Sequence, residues 1–169
     1  INLINQINSN GKNVRKFVYA SSSEVYQQNK IIPTPEEMDL KVPNVLNPRF
    51  TYGGSKILGE QLTLFYLNSR FKKTIFRPHN FYGPNMGYNH IIPEIYDKIR
   101  KASKNNIKKK ISLVIEGTGN ETRSFCYIDD AVNAIIKSAN SNRYQIINIG
   151  NDEEIKIINL IKKILKIMK

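Results

Sequence analysis

Apolar residues recur along the chain at two spacings, one typical of buried strands and one typical of amphipathic helices. Short apolar runs at residues 16–20, 73–77, 111–115 and 144–150 predict buried strands. Helical spacing is clearest in residues 52–70, between the first two of these runs. Because strands then alternate with helices, the pattern predicts an α/β fold with a parallel sheet and crossover helices.

The remaining segments predict further helices and one long loop. Residues 1–8 fit the end of an amphipathic helix that closes near Gly11. Helical spacing returns at residues 91–99 and 155–168, and a further helix begins near Tyr127. Residues 27–50 carry Pro33, Pro35, Pro43 and Pro48 among mixed charges, which predicts irregular surface structure.

The basic composition changes this picture little. A formal net charge of +12 suggests nucleic acid or an anionic surface as a partner. The lysines come with many Asn and Ile residues, however, which an AT-rich coding sequence would also produce. A nucleic-acid-binding module would need the lysines to converge on one face with aromatic residues or a reading helix, and the sequence contains no such pattern. We therefore expect no nucleic-acid partner.

Cysteine content and hydropathy bear on location. The single cysteine, Cys126, cannot form a disulfide within the chain, which suits a reducing compartment. No apolar run approaches the ~18 residues of a membrane-spanning helix. We expect a cytoplasmic protein with no membrane partner and no metal site.

Tyr52 and Lys56 are the first candidate pair for chemistry. If residues 52–70 are helical, these two residues lie one turn apart on the same face. A phenol titrates near pH ~10, so it acts as a base at neutral pH only when a nearby positive charge favours the phenolate. Lys56 would supply that charge. The same pair also occurs by chance on solvated helix faces, so its context decides.

The context is a hydroxyl cluster at the end of the first predicted strand. Ser21, Ser22 and Ser23 follow that strand directly, Glu24 comes next, and the long loop leads on to Tyr52. In this order the residues resemble the extended short-chain dehydrogenases/reductases, which are NAD-dependent nucleotide-sugar epimerases, dehydratases and decarboxylases. Later segments resemble the family's Arg-x-x-Asn-x-x-Gly, Arg-x-Phe and Asn-Ile-Gly motifs; they are Arg77 to Gly83, Arg123 to Phe125, and Asn148 to Gly150. Residues 77–84 and 122–125 are also similar to GDP-mannose 3,5-epimerases.

This resemblance implies the later part of a Rossmann-like, doubly wound parallel sheet with a small α/β substrate-binding subdomain. We expect one partial domain over residues 1–169. Residues 1–80 would belong to the dinucleotide-binding fold, and residues 81–169 mostly to the substrate-binding subdomain, with a return to the sheet near residues 124–140. The Gly-rich turn that holds the cofactor pyrophosphate in family members is not found in this sequence, so the resemblance implies a fragment.

The resemblance also implies NAD as cofactor and a nucleotide-diphosphate sugar as substrate. Tyr52 would take the proton of the sugar C4 hydroxyl, Lys56 would support Tyr52 and bind the nicotinamide ribose, and Ser22 would bond the same sugar oxygen. The implied cofactor-binding residues are Ala20, Tyr52, Lys56, Pro78 and His79. The implied substrate-binding residues are Ser22, Ser23, Asn80, His90 and Arg123. Among these, Asn80 could instead be a turn residue, His79 a buried histidine, and His90 and Arg123 ordinary surface residues.

Glu24 is the candidate that discriminates between reactions. A 4-keto sugar has acidified protons at C3 and C5, so a carboxylate nearby can act as a base and start dehydration or epimerisation. The triplet Ser22-Ser23-Glu24 resembles the Thr-Ser-Glu of UDP-glucuronate decarboxylases and GDP-mannose 4,6-dehydratases. It departs from the Asp-Glu pair of dTDP-glucose 4,6-dehydratases and from the Cys that 3,5-epimerases carry at the Glu24 position. Alternatively, Glu24 is a polar residue that merely follows a strand.

The expected function is therefore an NAD-dependent nucleotide-sugar epimerase or dehydratase. A decarboxylase of the UDP-glucuronate type and a non-catalytic truncated homologue are the alternatives. Family members commonly dimerise through a four-helix interface that would include the Tyr52 helix, so we expect a homodimer of the full-length protein.

Overall fold

The computed structural model of the chain describes residues 1–29, 31–104, 112–141 and 146–168. These fold into two units. The first comprises Ile1–His79 and Asp129–Gly150, and the second comprises Asn80–Ile128 and Asn151–Lys169.

Both strands and helices run through the described part of the chain. The strands are β1 (Lys16–Ala20), β2 (Lys72–Pro78), β3 (Phe81–Tyr82), β4 (Thr122–Ser124), β5 (Cys126–Tyr127), β6 (Ile146–Ile149) and β7 (Glu154–Lys156). The α-helices are α1 (Asn2–Asn10), α2 (Thr51–Gln61), α3 (Ile91–Lys104), α4 (Ile128–Asn140) and α5 (Ile157–Ile167). Short 3-10 turns span Ser23–Val25 and Pro48–Phe50, and a π-helical turn, Leu62–Tyr66, continues α2.

A parallel sheet in the order β1-β2-β6 forms the centre of the first unit. β2 is the middle strand, and its residues Thr74 and Ile75 are fully buried because both faces of the strand are covered. Ile4 of α1 packs with Leu67 and Phe71 in a cluster beside the sheet. The predicted α/β class with a parallel sheet is confirmed.

The helix that carries Tyr52 is shorter than the periodicity predicts. The expectation of one helix over residues 52–70 is wrong at its end, because the backbone widens into the π-helical turn at Leu62 and leaves helical geometry at Leu67. The Leu67 N–H donates to the Leu62 carbonyl, five residues back, at 3.0 Å. The Lys73 ammonium caps this end of the helix, because it donates to the carbonyls of Leu64 and Leu67 at 2.6 and 2.7 Å.

The second unit joins two small strand pairs to two helices. β3 pairs with β5 in parallel, and β4 pairs with β7 in antiparallel register. α3 and α5 share an apolar core made of Ile95, Ile99, Ile157, Leu160 and Ile161. The apolar stripe of α5 that the sequence predicts is therefore a packing face.

The turn at residues 117–121 supports the start of α5. Gly117 and Gly119 have φ angles of +79° and +80°, in the left-handed region that favours glycine. The Glu121 carboxylate accepts hydrogen bonds from the N–H groups of Thr118 and Gly119 at 2.9 and 2.8 Å, and these bonds lower its pKa to about 2. α5 lacks a side-chain cap, and the carbonyls of Glu121 and Gly119 accept its first N–H groups instead.

Two predicted strands differ from the structure. Residues 112–115 form no strand, and residue 111 lies outside the described residues. Leu113 and Ile115 of this segment pack against the apolar core of α3 and α5, while Val114 is 86% exposed, so its apolar residues reflect packing on the helices and not strand pairing. The late strand is Ile146–Ile149, and residues 144 and 145 of the prediction fall outside the described part.

Among the described residues, no helix is both long enough and apolar enough to span a membrane.

Gly59 allows α2 to lie against β1, and this close approach gives a stability prediction. A Cβ at Gly59 would overlap the hydroxyl and ring of Tyr19, whereas a Cβ at Gly54 of the same helix would meet Val42 Cγ2 at an ordinary 3.4 Å. We expect Gly59→Ala to lower the free energy of unfolding by about 1–3 kcal/mol through overpacking. Urea unfolding followed by circular dichroism measures this change.

The matched control is Gly54→Ala. It makes the same chemical change in the same helix, and we expect it to be neutral or to stabilise by up to ~1 kcal/mol because alanine favours the helix. Equal unfolding free energies for the two variants would contradict the close packing of α2 on Tyr19.

Candidate active site

Tyr52 and Lys56 share one face of α2, near its start. The Lys56 Nζ lies 5.5 Å from the centroid of the Tyr52 ring and 5.6 Å from that of Tyr19. Tyr52 is 53% exposed, so the residue is accessible to solvent. The structure therefore brings the predicted acid/base pair together at an accessible position.

Lys56 also ties α2 to the end of the first strand. Its Nζ donates a hydrogen bond of 2.9 Å to the carbonyl of Ala20, the last residue of β1. The ammonium is thus held beside the Tyr52 ring by a fixed backbone acceptor.

The segment Ser21 to Glu24 turns sharply where β1 ends. Ser22 caps the 3-10 turn Ser23–Val25, because its Oγ accepts a hydrogen bond from the Glu24 N–H at 3.2 Å. Ser22 is buried, Ser23 half-buried and Glu24 exposed. Of the predicted reacting groups on this segment, Glu24 presents its carboxylate to solvent while Ser22 is enclosed.

Gly53, beside Tyr52, brings this turn close to α2. A Cβ at Gly53 would lie 2.9 Å from the Glu24 carbonyl oxygen and 2.7 Å from Nε2 of Gln27, which itself donates to that carbonyl. Only a residue without a side chain leaves room for the approach. Sequence reasoning missed this role of Gly53, although a glycine next to the tyrosine was a visible signal.

A buried ion pair, also missed, lies under the same turn. Arg77 of β2 and Glu60 of α2 are each 2% exposed. Arg77 Nε donates to Glu60 Oε1 at 2.9 Å, and its NH2 donates to Oε2 at 2.6 Å, while the Ser21 hydroxyl donates to Oε1. Burial alone would lower the pKa of Arg77, but the bonds to Glu60 and Tyr26 outweigh burial and raise that pKa. An arginine directly after the apolar residues Ile75 and Phe76 of a predicted buried strand was the available signal, since a buried cation needs a partner.

The network continues into the long loop at residues 27–50. Arg77 NH1 donates to the Tyr26 hydroxyl and to the Glu36 carbonyl, and Tyr26 donates to Asn148 Oδ1 at 2.8 Å. The Asn148 side chain donates to the Thr34 carbonyl at 2.8 Å, and its N–H donates to Glu36 Oε1 at 2.9 Å. The loop is irregular as predicted, but residues 34–36 are anchored to β2 and β6.

Pro78 and His79 lie where β2 ends. Pro78 is the last residue of that strand, and the His79 N–H donates to the Ile149 carbonyl at 2.9 Å. Among the described residues, the buried His79 Nε2 has no hydrogen-bond partner. Burial lowers the pKa of His79, although a hydrogen bond to Asn148 opposes this shift, so the ring is neutral at physiological pH.

The other three predicted substrate-binding residues belong to the second unit. Asn80 is exposed, has a φ of +42°, and accepts the Cys126 N–H at its carbonyl. His90 is exposed just before α3. Arg123 is exposed on β4, and its NH1 bonds only the neighbouring Thr122 carbonyl at 2.9 Å. Within the described part of the chain, no hydrogen bond joins these three side chains.

The described residues contain no group of three or more His, Cys, Asp or Glu side chains placed to hold a metal ion.

Comparison with known proteins identifies two enzymes that are 34% identical to this chain. A dTDP-D-glucose 4,6-dehydratase of Dictyostelium discoideum is 34% identical over 164 residues, which cover 91% of this chain and 35% of that protein. A UDP-N-acetyl-alpha-D-glucosaminuronate decarboxylase of Bacillus cytotoxicus is 34% identical over 147 residues, which cover 85% of this chain and 43% of that protein.

A solved structure agrees with the fold. The UDP-glucuronic acid 4-epimerase of Bacillus cereus, in complex with NAD, superposes with a TM-score of 0.79 at 26% identity over 99% of this chain and 50% of that chain. The chain thus spans half or less of the length of these proteins. A family model described as the NAD dependent epimerase/dehydratase family matches residues 1–150. The resemblance inferred from the motifs is thereby confirmed, and this chain belongs to the NAD dependent epimerase/dehydratase family.

Proposed function

We propose that the chain contributes the acid/base residues of an NAD-dependent nucleotide-sugar epimerase or dehydratase. The observation that carries the proposal is the position of Lys56. Its Nζ is 2.9 Å from the Ala20 carbonyl at the end of a parallel strand and 5.5 Å from the Tyr52 ring. Ligands of open α/β sheets bind at the carboxyl ends of the strands, so this position supports a role for Tyr52 and Lys56 in contacting a substrate.

The residues at these strand ends fit the nicotinamide half of NAD. His79 presents a buried Nε2 without a partner among the described residues, which suits a polar group of a bound molecule. Tyr52, Lys56, Ala20, Pro78 and His79 would hold this half. When bound, NAD would supply the hydride acceptor.

Tyr52 would begin the reaction on the substrate. Its phenolate removes the proton of the sugar C4 hydroxyl, and the Lys56 ammonium stabilises the negative charge on the phenolate. Ser22 would hold the same sugar oxygen, so that the proton faces Tyr52. Ser23 completes the hydroxyl cluster on the sugar side.

Glu24 would carry the step after C4 oxidation. A C4 carbonyl acidifies the protons at C3 and C5, and the exposed Glu24 carboxylate is free of hydrogen bonds to other side chains within the described residues. Removal of such a proton leads to epimerisation, or to dehydration when a leaving group is lost from the neighbouring carbon. The dehydratase from Dictyostelium discoideum supports this reading.

Decarboxylation is the second candidate reaction. The triplet Ser22-Ser23-Glu24 resembles that of UDP-glucuronate decarboxylases, and a decarboxylase of a related uronate is among the relatives at 34% identity. A uronate with a C4 carbonyl loses C6 as carbon dioxide: the C5–C6 bond breaks, its electron pair forms an enolate over C4 and C5, and C5 then takes up a proton. This step needs no base at C5. The remaining alternative is a non-catalytic homologue.

Asn80, His90 and Arg123 are proposed as contacts of the nucleotide sugar. Arg123 is exposed, and the hydrogen bond that its guanidinium makes among the described residues is the one from NH1 to the Thr122 carbonyl. Guanidinium binds phosphate oxygens in a bidentate fork, which supports a contact with the diphosphate. Asn80 and His90 would supply further side-chain contacts to the nucleotide sugar.

We propose that the complete protein is cytoplasmic and works as a homodimer. The single Cys126 forms no disulfide within the chain, which supports the location. Leu58 of α2 is 54% exposed, and Phe65 and Tyr66 of the π-helical turn are 83% and 52% exposed, which supports an interface on this helix.

Tyr52→Phe tests the proposed base. We incubate the complete natural polypeptide and NAD with UDP-, dTDP- and GDP-sugars and follow products by mass spectrometry. Loss of the phenol hydroxyl should lower kcat by about 10²–10⁴-fold, the usual value of a general base. Loss of water, loss of carbon dioxide, or an isomeric product of unchanged mass identifies the reaction.

Tyr96→Phe is the matched control, because Tyr96 is 50% exposed and Tyr52 53%. It should leave kcat unchanged. If the wild type converts no sugar of the panel, or if Tyr52→Phe is as active as Tyr96→Phe, the proposed role of Tyr52 is wrong.

Glu24→Gln separates the second step from the first. The amide keeps the size of the side chain but cannot take a proton, so we expect a 4-keto sugar to accumulate while epimerised or dehydrated product forms about 10²–10⁴-fold more slowly. Glu37→Gln, at an exposed position of the long loop, is the control. A decarboxylated product that forms at the wild-type rate in Glu24→Gln would favour the second candidate reaction.

Replacing exposed apolar residues tests the dimer. We expect the double variant Leu58→Ser, Phe65→Ser to sediment as a monomer at a concentration where the wild type sediments as a dimer, because apolar area is lost from the proposed interface. Analytical ultracentrifugation of the complete polypeptide measures both. A wild type that remains monomeric would refute the proposed homodimer.

A further inference from the structure

Two side chains of α2 hold consecutive residues where β1 ends. Lys56 Nζ donates to the Ala20 carbonyl at 2.9 Å, and the Glu60 carboxylate accepts the hydroxyl hydrogen of Ser21. Lys56 and Glu60 are four residues apart and so lie one above the other on the helix. The helix is therefore fixed to the strand at two successive points.

In the hydrogen bond between Ser21 and Glu60, both residues are held rigidly by further partners. The Glu60 carboxylate is held by two hydrogen bonds from Arg77 and is only 2% exposed. The Ser21 N–H donates to the Phe76 carbonyl of β2 at 2.8 Å, and Ser21 is also 2% exposed. Neither partner can change rotamer without leaving a buried polar group unsatisfied.

We infer that Ser21 and Glu60 are positioning residues that hold Lys56 and Ser22 in register with Tyr52. Ser21 lies between Ala20, which binds Lys56, and Ser22, which begins the turn to Glu24. Fixing Ser21 therefore fixes the acceptor of Lys56 on one side and the hydroxyl of Ser22 on the other. This inference deepens the proposed function and rests on it for the meaning of the register.

Such positioning matters because the rate of a catalysed reaction depends steeply on the geometry of the reacting groups. A displacement of reacting groups by ~1 Å can cost about 10²-fold in rate even when its cause lies outside the reacting atoms. A hydrogen bond from a serine hydroxyl to a buried carboxylate can set such a distance.

Ser21→Ala tests the inference with little danger to the fold. The variant removes one hydroxyl, and Glu60 keeps both of its bonds to Arg77. Ser138→Ala is the matched control, because Ser138 is a buried serine, 4% exposed, whose hydroxyl bonds the Ile135 carbonyl of its own helix. It makes the same chemical change at the opposite end of β1 from Ser21, and it leaves the bond from Lys16 to the Ser138 carbonyl in place.

The first readout does not depend on activity. Acylation of lysines at low reagent concentration, followed by peptide mass spectrometry, measures how firmly each ammonium is held. We expect Lys56 to react several-fold faster in Ser21→Ala than in the wild type and Ser138→Ala, with the exposed Lys12 unchanged in all three proteins. An unchanged Lys56 rate in Ser21→Ala, or an equal rise in both variants, overturns the inference.

The second readout is kinetic and uses the complete polypeptide with NAD and the sugar that it converts. We expect Ser21→Ala to lower kcat by about tenfold to a hundredfold while KM stays within about twofold, and Ser138→Ala to change neither. Loss of stability alone would lower the two variants alike. Wild-type kcat in Ser21→Ala overturns the inference while leaving the Tyr52 result intact.

The two proposals fail in different ways. If no nucleotide sugar is converted but Lys56 is acylated faster in Ser21→Ala alone, the proposed function is wrong and the positioning by Ser21 stands. If conversion depends on Tyr52 but Lys56 and kcat are insensitive to Ser21, the function stands and the positioning is wrong.

Discussion

The buried ion pair of Arg77 and Glu60 is the interaction on which the first unit depends. Both side chains are removed from water, which is costly for any charge, and two parallel hydrogen bonds offset that cost. Loss of either partner from such a pair typically costs about 3–5 kcal/mol, because the other charge stays buried. The pair joins the middle strand to α2, and through Ser21, Tyr26 and the Glu36 carbonyl it also holds the turn and the loop beside the site.

Two of the lysines are also held by hydrogen bonds within the fold. Lys16 donates to the carbonyls of Ser138 and Ser141 as α4 ends, and Lys73 donates to those of Leu64 and Leu67. Each ammonium therefore satisfies carbonyls that a helix end leaves without partners. Burial lowers the pKa of both lysines, as expected for cations withdrawn from water. These charges serve the fold, so a net charge of +12 overstates the basic surface available to a polyanion.

Periodicity along the sequence was enough for the fold class and for the shared face of Tyr52 and Lys56, because both follow from local geometry. It failed where geometry is set by distant residues. The helix end at Leu67 depends on a π-helical turn and on Lys73. The segment 112–115 has strand-forming residues but pairs with no strand in the described part of the chain. The Ser21–Glu60 bond joins residues 39 positions apart, which no spacing rule reveals. The chemical roles of the site residues stay predictions.

One stripe of α2 combines access with rigidity. Tyr52, Lys56 and Glu60 follow at intervals of four residues, and burial increases along them from the 53% exposed tyrosine to the 2% exposed glutamate. A proton-transferring group must meet a ligand, so it belongs at the open end of the stripe. An anchoring charge gains strength in the interior, where water competes less for its hydrogen bonds. Because a helix transmits position over about two turns with little bending, the buried end can fix the open end without itself touching a ligand.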